Sequence, residues 1–434
     1  MLPGARLIQA TTLWSLLGLA ASFYEPLRPV WVWAGIGLAA TAIADALLLA
    51  LARPLEFTRT LPGRLALGVE QEMEVTLRNT NRTPAHVRVI DGLPTGLRCE
   101  DWPWSGVVAG GGFCTVAARV RPLERGSMSL EPAWIEHRSP LSLWLRPYRA
   151  GQTTETRVYP NYEPVIRFAL LGMQHREAQM GIRLLNKPGQ SRDFRQLRDY
   201  MDGDPMNTMD WKATSRRLTL TSREFEEQRN QTVILMADCG RRLRAIDGDV
   251  TQFDHVLNAM LLLSFIALRQ GDRVGVMGWG DEARWLPPQV GTSSMPVILN
   301  HLYDYHPGSA PGDIGEAVSQ LQSRQPRRSL VIVCTNLRSE DHEHLLKPLQ
   351  LLRRKHLVVL ATLRETEVSA RMEAPVETPA QAQSFAATAA YVEDRRILLN
   401  TLRSHGILTL DVPPRELPAA LGNAYLDIKQ QGIL

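Results

Sequence analysis

Cysteine is scarce in this chain of 434 residues: four in all (Cys99, Cys114, Cys239 and Cys334), with no two in CxxC spacing. That excludes a zinc ribbon and a dense disulfide frame. Lysine is nearly missing as well, with Lys187, Lys212, Lys347, Lys355 and Lys429 among 49 basic residues. Arginine carries the positive charge, but the net excess is only +4, so no nucleic-acid partner is expected. Enzyme signatures are absent too. There is no GxxxxGK[ST] phosphate loop and no GxSxG elbow. His342-Glu343-His344 sets its histidines two apart, about 200° round a helix, where a zinc-binding HExxH needs them four apart on one face. A calcium loop starting at Asp202 would need Gly sixth and Glu twelfth, and Asn207 and Ala213 stand there. No nucleophile–base pair emerges, so the chain reads as a non-enzyme.

A hydrophobic fraction of 44% is enough to build cores, and the length calls for two or three domains. The first fifty residues carry the strongest compositional signal. Leu7–Tyr24 is free of charge, and Val30–Ala52 is a second apolar run after the turn Glu25-Pro26-Leu27-Arg28-Pro29. Both are long enough for a hydrocarbon core about 30 Å thick, so a two-span hairpin is expected over 1–54. Asp45 is the difficulty. At the bilayer centre it costs about 2.5–3.5 kcal/mol, which nearly cancels the nine Leu, Ile and Val of its run at roughly 0.3–0.6 kcal/mol each. It must sit off-centre, find a polar partner, or insert together with its neighbour. Arg6 before the pair, and Arg53, Arg59 and Arg64 after it, favour a cytoplasmic location for everything beyond residue 52. A signal peptide ending near Ala20-Ala21-Ser22 is the competing reading.

From 55 to 162 the pattern alternates with period two. Met73, Val75 and Leu77, then Val87 and Val89, then Val116, Ala118 and Val120 are separated by Asn, Gly and Pro turns. A small antiparallel β-sandwich is expected, with Trp102, Trp104, Trp134 and Trp144 in its core or over its edges. An irregular connector and a charged segment fill 163–231. Over 232–434 strands alternate with helices: Thr232–Cys239, Arg273–Trp279, Ser329–Thr335, Leu357–Leu363 and Ile407–Val412, with helices near 253–271, 295–305, 314–324, 342–355, 389–404 and 415–430. With a hairpin from Arg273–Trp279 to Ala283–Leu286, that is a doubly wound α/β pattern, whose ligand crevice lies at the carboxyl ends of the strands. Asp238 and Thr335-Asn336 fall at such ends.

Phe194-Arg195, Leu197-Arg198, Tyr200, Gly203-Asp204, Asp210-Trp211-Lys212-Ala213 and Arg216, followed by Arg223-Glu224-Phe225-Glu226 and a strand ending in Asp, resemble the bacterial family known as domain of unknown function fifty-eight. Arg125-Gly126-Ser127 and Ser139-Pro140-Leu141-Ser142-Leu143-Trp144 resemble an earlier motif of the same family. The resemblance implies a membrane-tethered protein of von Willebrand factor A-like (vWA-like) fold, working with a MoxR-type AAA+ ATPase. Such domains often bind Mg²⁺ through Asp-x-Ser-x-Ser, a Thr and a late Asp. Here Asp238 stays, but Gly240 and Arg242 replace the serines, Gly312 the threonine and Asn336 the late aspartate. No metal or other cofactor is expected; Asp238, Thr335 and Asn336 are all that remain for a weak Mg²⁺ site. Arg242 either pairs with the orphaned Asp238 or leaves the crevice to grip a partner's acidic side chain. Asp202, Asp204, Asp210, Trp211, Lys212 and Arg216 form a second partner-binding candidate, or else a structural lead-in with Trp211 in the core and Arg216 and Arg217 paired to Asp202, Asp204 or Asp210. The expected role is an adaptor in the inner membrane, joining the ATPase to a client protein. The alternative is an envelope-facing binding protein of the same fold, for which a Cys99–Cys114 bond would speak.

Overall fold

A computed structural model describes residues 1–173, 193–201, 206, 209–226, 230–281, 283–338 and 342–433. The chain divides into two compact units, Met1–Val158 and Tyr159–Leu434, each mixing sheet and helix.

The first unit opens with the helices Ala5–Phe23 and Arg28–Leu51. They pack antiparallel as large against small: each of Trp14 and Trp31 lies against a glycine of the other helix, Gly35 and Gly18, and the two indoles stack at 5.1 Å. Such glycines let apolar helices approach closely. Among the described residues one apolar helical stretch, Glu25–Leu51, is long and apolar enough to cross a membrane, with mean hydropathy 2.0 and little of its window buried. By length and hydropathy alone that is one candidate span where two are expected. The 19-residue first helix is diluted by Arg6, Gln9, Thr11 and Thr12. One such stretch is compatible with a membrane anchor or a signal sequence.

Two antiparallel sheets follow. One orders Glu56–Thr60, Gln71–Arg78, Phe113–Pro122 and Leu97–Cys99; the other centres on Gly126–Arg138, paired to Trp144–Ala150, Thr154–Tyr159 and Ala85–Gly92. The period-two alternation holds, since Met73, Val75 and Leu77 are buried while Glu72, Glu74 and Arg78 are exposed. The tryptophans do not make the core. Trp134 is exposed beneath Arg149, Trp144 is half-buried, and the interior is aliphatic around Leu65, Met73, Val89, Leu130 and Ile135. Arg59 is no free flanking charge either. It is buried against Asp91 at 2.6 Å, which removes it from the positive-inside count. Burial pushes the Asp91 carboxyl up, against the pull of Arg59. Cys99 pairs with Val120 and Cys114 with Leu77, so six residues of one strand, about 20 Å, separate the two thiol positions. That spacing excludes a disulfide between them in the folded unit.

The second unit is built on a six-stranded sheet: β1 Thr232–Asp238, β2 Arg273–Trp279, β3 Trp285–Val290, β4 Leu330–Cys334, β5 Leu357–Leu363 and β6 Leu408–Val412. Its order is β3-β2-β1-β4-β5-β6, all parallel except β3. The helices are α1 Gln252–Arg269, α2 Met295–Leu302, α3 Ile314–Arg324, α4 His342–Arg353, α5 Thr366–Glu373, α6 Pro379–Ser404 and α7 Leu417–Gln431. One core joins α1, α2 and α7 to one face of the sheet; a second joins α3, α4 and α6 to the other. The strands are buried on both faces, which is why they read as continuous apolar runs. α1 starts at a capping box of Thr251 and Asp254, and is buried nearly all round. Two expectations shift. α6 begins ten residues early, and α5 was not foreseen. Early in the second unit, the connector expected to be irregular holds the helix Glu163–Met173.

Candidate functional site

The strand order reverses between β1 and β4, and the crevice at their carboxyl ends is where open α/β sheets place ligands. Asp238, the last residue of β1, is fully buried there. Its Oδ2 accepts from Thr335 Oγ1 at 2.5 Å and lies 3.5 Å from Arg242 Nη1; its Oδ1 accepts from Gly240 N–H at 2.9 Å. A single 3₁₀ turn, Arg241–Leu243, folds the guanidinium back over the carboxylate. Burial pushes the Asp238 carboxyl up, and Thr335, Gly240 and Arg242 each oppose that shift. Both oxygens of the Asp238 carboxylate are thus in use.

Backbone closes over this carboxylate. Gly308 N–H donates to Cys239 O at 2.7 Å and Arg241 N–H to Ala310 O at 3.1 Å. A Cβ at Gly240 would stand 2.8 Å from Gly312 N and 3.0 Å from Asp238 Oδ1, and one at Gly312 would meet Trp279 at 3.1 Å. Gly240 and Gly312 are therefore packing positions, where serine and threonine do not fit without moving the 308–312 loop. Gly240→Ser is expected to lose about 1–3 kcal/mol by overpacking and to gain no Mg²⁺ affinity. Thermal melting with and without Mg²⁺ tests this; a Mg²⁺-dependent rise in Tm would overturn it.

Asn336 does not join Asp238. It turns into a neighbouring network that the sequence did not reveal. Its Nδ2 donates to Gln252 Oε1 and Glu365 Oε1 at 3.1 and 3.2 Å, and its Oδ1 accepts from Arg395 Nη1 at 2.9 Å. Arg395, buried on α6, also donates to Leu337 O, Thr362 Oγ1, Leu363 O and Asp411 Oδ1, all within 2.8 Å. One guanidinium thus ties together the ends of β4, β5 and β6. A signal existed. Arg395 stands three and four residues before Leu398 and Leu399, on the apolar stripe of the helix, where a charge must be paired.

The 192–226 segment forms a hairpin of Asp193–Asp199 with Thr221–Glu226, carrying the short helix Trp211–Arg217. Asp210 caps that helix, accepting from Lys212 N–H and Ala213 N–H at 3.0 Å each. Trp211 is 67% exposed, which is the surface one of the two placements that the sequence left open. Met201, Met206, Leu218 and Leu220 are exposed beside it, as are Lys212, Arg216 and Arg217. Asp202 and Asp204 lie outside the described residues, as do the side chains of His342 and Glu343; His344 is exposed.

Fold and site together define a class: a multidomain protein with an apolar N-terminal helix, an antiparallel β unit and a doubly wound α/β unit, whose switch-point carboxylate is neutralised from within. Residues 196–392 match the family described as protein of unknown function DUF58. That segment, a little under half of the chain, is similar to the DUF58 family. A stretch of 149 residues is 28% identical to the uncharacterized protein YeaD of Bacillus subtilis (strain 168), covering 34% of this chain and 35% of that one. The match thus spans about a third of its relative's length. Two solved structures show slight likenesses. Escherichia coli alpha-2-macroglobulin, from domain MG7 to the C-terminus, matches with TM-score 0.23 and 20% identity over 25% of this chain and 17% of that one. The CARDB domain of the Pyrococcus furiosus protein PF1109 matches with TM-score 0.18 and 12% identity, over 25% of this chain and 90% of that one. Neither carries an argument about this fold.

Proposed function

We propose that the protein is a membrane-anchored, vWA-like adaptor that recruits a AAA+ ATPase of the MoxR type, or its client, and carries out no chemistry itself. The observation that carries this is the exposed surface of the family's signature segment. Trp211, Leu218 and Leu220 are exposed on one short segment together with Lys212, Arg216 and Arg217, a mixture of apolar and basic groups suited to an acidic face with an apolar centre. Leu218 is 90% exposed at φ +58°, a left-handed helix end where glycine is the usual residue. Backbone strain of this kind gathers at sites that bind. The crevice adds donors rather than acceptors: Arg242 covers Asp238, and the buried Trp279 Nε1–H beside Gly312 has no acceptor. An acidic partner group suits such a place better than a cation, so a structural metal or cofactor forms no part of the proposal.

Strand order 3-2-1-4-5-6 with an antiparallel edge strand supports the vWA-like assignment. For the anchor we favour two spans in a bacterial inner membrane, with both units in the cytoplasm. Leu2–Pro3 forms a strand against Trp144–Leu145, so the start of the first helix and the end of the second meet at the same β unit. If the second helix crosses, the first must cross back. Arg6 and Arg53 on that side agree with positive-inside logic.

Affinity capture from native membranes tests the adaptor role. Wild type should retain a AAA+ ATPase, and Trp211→Ala should weaken retention about tenfold, the loss of about 1.4 kcal/mol from an aromatic anchor. Asp238→Ala should weaken it as well. Undiminished retention by both variants would sink the site assignment.

A further inference from the structure

Asp45 is buried to 1% exposure within an otherwise lipid-like helix, and its partners come from the β unit. Ser139 Oγ donates to Oδ2, Leu141 N–H to Oδ1 at 3.0 Å and Leu143 N–H to Oδ2 at 3.3 Å. Trp144 Nε1–H reaches Ala42 O at 2.8 Å, one turn deeper along the helix. On the other side of the same loop, Gly4 N–H donates to Leu143 O at 2.7 Å and Arg6 Nη1 to Leu141 O at 3.3 Å. A Cβ at Gly4 would stand 2.6 Å from Ser142 O, so the loop rests on bare backbone.

The depth of these contacts matters. Leu47, Leu48 and Leu51 lie on the β-unit side of Asp45, and they are 57%, 58% and 80% exposed. Leu51 is six residues past Asp45, about 9 Å along the helix axis. Lipid that covers these leucines therefore also surrounds the loop that holds Asp45. At its tip Leu141 is 53% exposed, continuous with the apolar helix surface, and Arg6 beside it offers a cation to headgroup phosphates.

From this juxtaposition we propose that the loop Ser139–Trp144 is itself inserted into the bilayer interface, with lipid as its partner, so that the β unit is seated in the membrane surface and not hung above it. The inference rests on the membrane anchor proposed above. It also accounts for Asp45: the protein carries donors down to the buried carboxylate, which is thereby satisfied within lipid.

The test uses the full chain in vesicles of phosphatidylethanolamine and phosphatidylglycerol. A polarity-sensitive fluorophore is placed by Leu141→Cys, or by Arg98→Cys on an exposed strand position, in a background of Cys99→Ser and Cys114→Ser; Cys239 and Cys334 are buried. Emission at 141 should be blue-shifted and quenched several-fold more by shallow spin-labelled lipid than emission at 98. Equal, unquenched emission from a protein that resists carbonate extraction would overturn the inserted loop and leave the anchor standing. Equal, unquenched emission from a protein that carbonate strips away would overturn both.

Discussion

Arg395→Ala is expected to lower the stability of the α/β unit by about 3–5 kcal/mol, the range for removing one partner of a buried ion pair. At this domain size that is a fall in Tm on the order of 10 °C. The guanidinium is 8% exposed and makes five short hydrogen bonds to three strand ends, whereas surface pairs such as Arg396–Glu393 are worth little. Without it Asp411 loses its 2.7 Å partner, two carbonyls lose their donor, and Asn336 loses the group that holds its Oδ1. Arg395→Lys should rescue little, because an ammonium has three donors and no planar fork to span the strands. Calorimetry of the full chain reads this, with the β unit's transition as internal reference. A melting temperature within a degree or two of wild type for Arg395→Ala would show that the network is dispensable.

Asp45→Leu should have the second large effect, and its sign runs against hydropathy. By composition alone the change makes a better membrane helix, by about 3 kcal/mol on the insertion scale. The structure reverses the expectation, because the Ser139 hydroxyl and the Leu141 and Leu143 amides would be left without an acceptor. Each buried orphan costs about 1–3 kcal/mol. Asp45→Leu should therefore free the loop, seen as faster proteolysis or hydrogen exchange across 139–144, while membrane integration is retained. Asp45→Asn keeps one acceptor oxygen and should fall between. Wild-type protection in Asp45→Leu would mean that the carboxylate does not hold the loop.

Much of the fold was legible because its signals are local. Thr232–Cys239 and Leu357–Leu363 read as buried strands from apolar runs alone, and Ile314–Arg324 as a helix from its spacing. The short helix α5 was missed because Thr366–Glu373 has no residue fully buried, and so prints no apolar stripe. The site was half legible. Arg242 on Asp238 follows from a deleted cation site and a nearby charge, but Thr335 as its closest donor does not. Asn336 was grouped with Asp238 because the two stand at adjacent strand ends; its amide turns the other way because Gln252, Glu365 and Arg395 converge there. For Trp211, sequence weighed core against surface and could not choose, since a seven-residue helix carries too few turns to show which face is covered.

The sequence by itself determined the order of elements, the apolar N-terminal helices, the doubly wound core and the carboxylate at its switch point, because periods of two and 3.6 residues are properties of neighbouring positions. Tertiary structure alone decided what each buried charge meets. Asp45 and Ser139 are 94 residues apart, Asp238 and Thr335 are 97 apart, and Arg395 and Asn336 are 59 apart. Burial makes an unpaired charge costly, so a partner is required, but which partner arrives depends on how strands and helices distant in the chain come to lie side by side.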